Sequence, residues 1–184
     1  MKLLLENQET ERLKFRKLKK EDFNIWKELF EDENTSRYLG MDHLKTADER
    51  CSYWFELTFN RYEKDLGGQN ILVDKKTDKI IGQAGLLVRD IDGQTEIEVA
   101  YSILPQFRKL GYAIEAASKC RDFALESKLA EQLYSIIHVE NQDSQNVAIK
   151  MGMKKLRSSL YGKMFADFFT INRNEWERLK KMEL

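Results

Sequence analysis

The spacing of hydrophobic and polar positions changes several times along the chain, and each change marks an element. In residues 11–18, ERLKFRKL, Leu13, Phe15 and Leu18 alternate imperfectly with charge, which predicts a first strand. KEDFNIWKELFED follows, with Phe23, Trp26, Leu29 and Phe30 at helical spacing and Glu21 and Asp22 at the positive end of the helix dipole. A second helix is predicted from Ala47 to about Lys64, stopped by Gly67 and Gly68. NILVDKKTDKIIGQAGLLV then reads as two strands joined by the turn KKTD, and RDIDGQ turns the chain into a third strand, TEIEVAYSIL. Such short connections make the three strands antiparallel.

A helix after Gly111 is carried by Ile114, Ala117, Cys120 or Arg121, and Ala124. QLYSIIHVE reads as a buried strand, SQNVAIKMGM as a short helix ended by Gly152, and FADFFTIN as a late strand before the helical NEWERLKKM. The order β-α-α-β-β-β-α-β-α-β-β with a closing helix predicts an α+β or mixed α/β fold rather than a doubly wound sheet. No repeat, low-complexity tract or linker interrupts it, so residues 1–184 read as one domain.

Composition narrows the function. Eleven per cent aromatic residues argue against disorder, and 31 basic against 31 acidic side chains argue against a general nucleic-acid binder. The opening MKLLLENQETERL is too short in apolar residues for a signal peptide, and no run approaches the roughly 20 residues of a membrane span, so a cytoplasmic protein is expected. Cys51 and Cys120 fall inside helical segments as small buried hydrophobes, and the isolated His43 and His138 suggest no metal site.

Any affinity for an anion must therefore be local, and one junction suits it. Arg108-Lys109-Leu110-Gly111-Tyr112-Ala113 joins the third strand of the β region to a helix. A helix start offers free backbone N–H groups and the positive end of its dipole. Gly111 permits a tight turn, Ala113 leaves room for approach, and Arg108 and Lys109 add charge for phosphate oxygens. The stretch has neither a Rossmann three-glycine pattern nor a P-loop lysine after glycine. A solvated loop is the competing reading. Further on, in NQDSQNVAIKMGM, Asn141 and Ser144 stand at the start of a helix.

Together, IEVAYSIL, RKLGYA and NQDSQNVAIKMGM resemble the GNAT superfamily of acetyl-CoA-dependent N-acetyltransferases, and the RimJ/RimL type within it. TERLKFRKLKKEDF and FADFFTINRNEW match that type too, so the likeness spans almost the whole chain. The family's pyrophosphate motif is Arg or Gln, two residues, Gly, one residue, then Gly or Ala; Arg108, Gly111 and Ala113 satisfy it. Lys109, where many members have glycine, and Met153, where many have an aromatic, depart from the pattern.

The resemblance implies a mixed, mostly antiparallel sheet of about seven strands flanked by helices and splayed between the fourth and fifth. It implies acetyl-CoA as co-substrate, with Tyr101, Ser102 and Ile103 offering backbone groups to the pantetheine arm as an added strand would. Backbone amides from Lys109 through Leu110, Gly111 and Tyr112 to Ala113 would hold the pyrophosphate, and Asn141 would bond near the pantetheine end. A strand-end turn or N-cap is the competing role for Asn141.

The implied chemistry is direct attack by an amine on the thioester. A protein N-terminal amine, with a pKa of about 7.7–8.0, needs less help in deprotonation than lysine at about 10.4. Glu98 is the candidate base, directly or through water, because its strand leads to the cofactor arm; Glu96 shares its parity, and a solvated carboxylate competes for both. Ser144 matches the family's hydroxyl for the departing sulfur, with helix capping as its alternative, and Tyr134 and Tyr161 are further proton donors. Tyr38, Trp54, Tyr62 and Phe165 fall where the family walls its acceptor cleft. A polyamine or aminoglycoside acceptor would use Glu31, Asp32, Glu33 and Asp42, and a CoA-binding module without turnover is the non-enzymatic alternative. Partners are then an amine-bearing small molecule or a protein N-terminus, with neither nucleic acid nor membrane, and a homodimer is compatible with the type.

Overall fold

The computed structural model describes residues 2–182. Its elements are β1 (Leu13–Arg16), α1 (Phe23–Lys27), α2 (Glu33–Tyr38), α3 (Ala47–Glu63), β2 (Gly67–Asp74), β3 (Ile80–Ile91), β4 (Gln94–Ile103), α4 (Tyr112–Glu126), β5 (Gln132–His138), α5 (Gln142–Lys150), β6 (Lys154–Tyr161), β7 (Met164–Asn172) and α6 (Arg173–Met182). The strands form one seven-stranded sheet in the order β1-β2-β3-β4-β5-β7-β6. Every pairing is antiparallel except that of β4 with β5.

That parallel pairing is short. It joins Ile97 to Leu133 and Glu98 to Tyr134, and the Ser135 hydroxyl donates to the Val99 carbonyl at 2.8 Å. From there β4 runs on to Ile103 without β5 beside it, so the sheet opens into a V. The splay expected from the resemblance is present.

Strand parity sorts the side chains onto two faces. Val99 and Ile103 pack with Leu72, Leu86 and Leu133 under α4 and α5. The sheet-facing positions of α4 are Ala116, Ala117, Cys120 and Ala124, all fully buried. Small residues there bring the helix close, and enlarging one would overpack the layer at about 1–3 kcal/mol. The other face carries Ile71 and Val73 against Trp26, Phe30, Trp54 and Phe55 of the α1–α3 layer. α3 starts as its sequence dictates, with a capping box between Thr46 and Glu49.

Two expectations change. The helix read over 20–32 is the five-residue α1 between two 3-10 turns. Tightening to three residues per turn aligns Trp26 with Leu29, and both are buried against α3. Residues 33–38, to which the expected element order assigns no helix, form α2, whose N-cap is Asp32: its Oδ1 accepts from the Asn34 amide at 3.0 Å and its Oδ2 from the Thr35 hydroxyl at 3.0 Å. Among the described residues no helix is long and apolar enough to cross a membrane.

Candidate active site

Beyond Ile103 the chain makes a 3-10 turn at Pro105–Phe107 and reaches α4 through two residues of positive φ, Lys109 (62°) and Gly111 (85°). Gly111 is the residue before the helix, in the left-handed region that favours glycine. The first amide of α4 bonded within the chain is that of Glu115, to the Gly111 carbonyl at 3.2 Å. The amides ahead of it are the open donors of a helix start, and the alternating handedness at Lys109 and Gly111 makes a concave backbone of the kind that takes anions.

The turn is braced from outside by a residue the sequence reading passed over. Arg12 donates from Nη1 to the Leu110 carbonyl at 3.0 Å, from Nε to Glu115 Oε2 at 2.6 Å, and lies 4.3 Å over the Tyr112 ring. Burial opposes ionisation of Glu115, but hydrogen bonds from the Thr10 hydroxyl and from the Arg12 amide and guanidinium hold its carboxyl below the usual range. The Tyr112 hydroxyl donates to Asp74 Oδ2 at 2.9 Å.

A cleft of about 1190 Å³ runs from this turn through the V to the α3 face. Glu98, Ser144, Tyr161, Asn141 and the cofactor-arm residues line it, whereas Leu110 and Tyr112 of the turn and the catalytic candidates Glu96 and Tyr134 lie outside it. Asn141 is the N-cap of α5, its Oδ1 accepting from the Ser144 amide at 3.1 Å. The Tyr101 hydroxyl donates to the Ser144 carbonyl at 2.8 Å, tying β4 to α5 across the V. Burial pushes the Tyr101 phenol well above its ordinary pKa, which suits a tie more than a proton donor. The Ser144 hydroxyl makes no hydrogen bond among the described residues and lines the cleft.

Residues 12–154 match the family model of the acetyltransferase (GNAT) domain. The chain belongs to the GNAT acetyltransferase family. Acetyl-CoA is that family's co-substrate and acetyl transfer its chemistry. Two Bacillus subtilis proteins are similar: the uncharacterized protein YkkB, 34% identical over 45% of this chain and 48% of its own length, and the uncharacterized N-acetyltransferase YoaA, 22% identical over 83% of this chain and 87% of its own. The chain thus spans about half the length of YkkB. Among solved structures, an acetyltransferase from Agrobacterium tumefaciens is 22% identical with a TM-score of 0.75 over 90% of this chain and 93% of that one. A spermidine N-acetyltransferase from Vibrio cholerae, solved with CoA and spermine, is 16% identical (TM-score 0.70; 91% and 99% covered). RimL, a ribosomal L7/L12 α-N-protein acetyltransferase solved with coenzyme A, is 11% identical (0.72; 92% and 98%). At such identities the structural likenesses concern the fold.

At the inner end of this GNAT cleft the α3 face supplies its chemistry. Glu98, opposite Leu87 in the β3–β4 register, reaches diagonally to Arg89, whose Nε donates to Glu98 Oε2 at 2.5 Å. The Glu98 side chain is only 7% exposed, so the solvated-carboxylate reading fails for it. Attraction to Glu98 holds the Arg89 guanidinium above its usual pKa. Arg61 and Tyr161 line the same end, and burial pushes the Tyr161 phenol up.

Three other expectations need correction. The Arg108 guanidinium does not turn to the phosphate side: Nη1 pairs with Asp32 Oδ2 at 2.8 Å, Nη2 donates to the Thr35 hydroxyl at 2.8 Å, and Nε donates to the Ile103 carbonyl at 3.2 Å. It fastens α2 to the end of β4 because α2, unseen in the sequence, presents a carboxylate there. Tyr62 and Phe165 lie outside the cleft, whereas Tyr38 and Trp54 line it. Of the four acids set aside for a polycation, Asp32 alone lines the cleft, and Arg108 occupies it. The Arg89–Glu98 pair was within reach of the sequence: the Asp92-Gly93 turn fixes the hairpin register that places Arg89 opposite Glu96, one same-face step from Glu98.

Proposed function

We propose that this protein transfers the acetyl group of acetyl-CoA to a primary amine by direct attack, without a covalent enzyme intermediate. One observation carries the reading: the open amides at the start of α4, the unpaired end of β4 and the Glu98 end belong to one continuous cleft through the V. In this reading the backbone from Lys109 to Ala113 holds the pyrophosphate, and Tyr101 to Ile103 pair with the pantetheine amides. Asn141 bonds near the end of the arm.

The amine nitrogen forms a bond to the thioester carbon and the C–S bond breaks. The amine's surplus proton passes to Glu98, directly or through water, and the sulfur departs as the thiolate, stabilised by a hydrogen bond from the Ser144 hydroxyl. An α-amine, with a pKa of about 8, needs less help in deprotonation than a lysine, at about 10.4. The RimJ/RimL likeness supports an α-amine too, as at a protein's N-terminus. Calorimetric titration of acetyl-CoA into the protein, followed by amine-dependent release of CoA thiol, tests the reading. Binding with turnover of an α-amine supports it; a folded protein that binds no acetyl-CoA sinks it.

A further inference from the structure

The inner end of the cleft carries more positive than negative charge. Arg61 and Arg89 face a single carboxylate, Glu98, and Glu98 is already paired with Arg89. Among the described residues Arg61 has no acidic partner: its Nη2 donates to the carbonyls of Leu66 at 3.1 Å and Val88 at 2.6 Å. Its Nε is buried without a hydrogen-bond partner, and so is Oε1 of neighbouring Gln69, which lines the same cleft. A cation in this setting is penalised by burial and by Arg89, and the natural compensation is an anion.

Among the described residues the hydrogen bonds use only Nε of Arg89 and Nη2 of Arg61. With Arg61 Nε buried, Nη1 of Arg61 and both Nη of Arg89 remain as donors for a carboxylate. Beside them, the carboxylate of Glu98 is the one group at this end that attracts an ammonium.

We propose that the acceptor is an α-amino acid or a close analogue, its amine beside Glu98 and its carboxylate on Arg61 and Arg89. Cation and anion sit on neighbouring positions of the site, as amine and carboxylate are borne by the same carbon of the acceptor. A polyamine is disfavoured, because its second ammonium would meet Arg61. An N-terminal peptide replaces the carboxylate with an amide and leaves both guanidiniums unanswered. This assignment rests on the reading of the cleft as an acetyl-transfer site.

The test compares a set of L-amino acids with their own carboxamides, spermidine and a Ser-headed peptide amide, at saturating acetyl-CoA, by CoA thiol release and product mass. At least one acid should exceed its carboxamide in kcat/KM by about ten- to a hundredfold, the range of a charge-assisted contact. Arg61→Gln should collapse that ratio toward unity through KM, and Arg61→Lys should restore part of it. A purely structural Arg61 would lower acid and carboxamide together and leave the ratio intact, which would overturn the assignment. If Arg61→Gln does not fold, the wild-type ratio still decides. Equal use of acid and carboxamide, or preference for spermidine or the peptide, overturns the amino-acid acceptor while acetyl transfer stands. Binding of acetyl-CoA without acetylation of any of these amines overturns both.

Discussion

In the proposed reading, the cofactor end of the cleft is assembled from neighbours in sequence, Lys109 to Ala113 and Asn141 to Ser144, whereas the acceptor end draws Arg61 from α3, Arg89 from β3, Glu98 from β4 and Tyr161 from the end of β6. At the first end, backbone does the work: a glycine of positive φ, a run of open amides and a strand edge left unpaired by the V. At the second, side chains brought together by the sheet set charge and shape. Substitutions at the cofactor end should therefore act on acetyl-CoA binding, and those at the acceptor end on the amine.

The largest effect is expected at Gly111. Aspartate there adds a negative charge beside the turn proposed to hold the pyrophosphate, and puts a side chain, its Cβ 3.3 Å from Arg12 Nη2, on a residue at φ 85°. The left-handed strain should cost about 1–3 kcal/mol, less for Asp than for a branched residue. Repulsion should weaken acetyl-CoA by about a hundredfold or more, an effect of ~3 kcal/mol. Calorimetry reads the affinity and thermal unfolding reads the strain. Unchanged affinity in a folded variant would remove the phosphate turn from the account.

Glu98→Gln comes next and falls on the other end. Loss of a general base should lower kcat by about a hundredfold or more while acetyl-CoA affinity holds. The substitution also deprives Arg89 of its partner, so a fall in melting temperature should accompany it. A kcat within a factor of about two of wild type would hand deprotonation to water.

Arg108→Gln separates the structure from the sequence pattern. In the motif this arginine reads as a phosphate ligand; in the fold it pairs with Asp32 and Thr35. The variant should lose stability, by about 1–3 kcal/mol for an ion-paired and doubly hydrogen-bonded guanidinium partly open to solvent. It should raise KM for the amine more than for acetyl-CoA. A selective loss of acetyl-CoA affinity would restore the phosphate role.

The same contrast explains what was legible in advance. The glycine turn, the α5 cap and the three-strand meander are local, and local chemistry writes them: Gly111 for the positive φ, Asn141 for the N-cap, Asp92-Gly93 for the hairpin. α2 was missed because ENTSRY has no apolar stripe; its six residues are held by the Asp32 cap and by Arg108, which lies 76 positions further along the chain. The charge of the acceptor end escaped for a similar reason. Arg61 is one more basic residue on a charged helix until β2 and β3 are laid beneath it, where the carbonyls of Leu66 and Val88 fix its guanidinium.

The smallest effect probes the wall behind the acceptor end rather than the end itself. Tyr62 was expected in the cleft; instead it receives the Leu18 amide at 3.3 Å and donates to the Gln69 carbonyl at 2.7 Å, beneath the cleft-lining Gln69. Burial pushes its phenol from the ordinary 10.0 up to about 12. A raised pKa means that the folded state favours the neutral phenol, so this contribution is complete below pH 10 and disappears as pH approaches about 12. Cys51, pushed by burial from 9.0 to about 12, adds a loss that begins earlier. Tyr62→Phe should thus be less stable than wild type at pH 8 by about 0.5–1.5 kcal/mol, the worth of its hydrogen bonds. Above pH 10 the gap should close and then reverse, because only the wild type still has this phenol to ionise. Urea midpoints at pH 8, 10 and 11.5 measure it, and a gap that stays constant across them would place the hydroxyl in water rather than against Gln69.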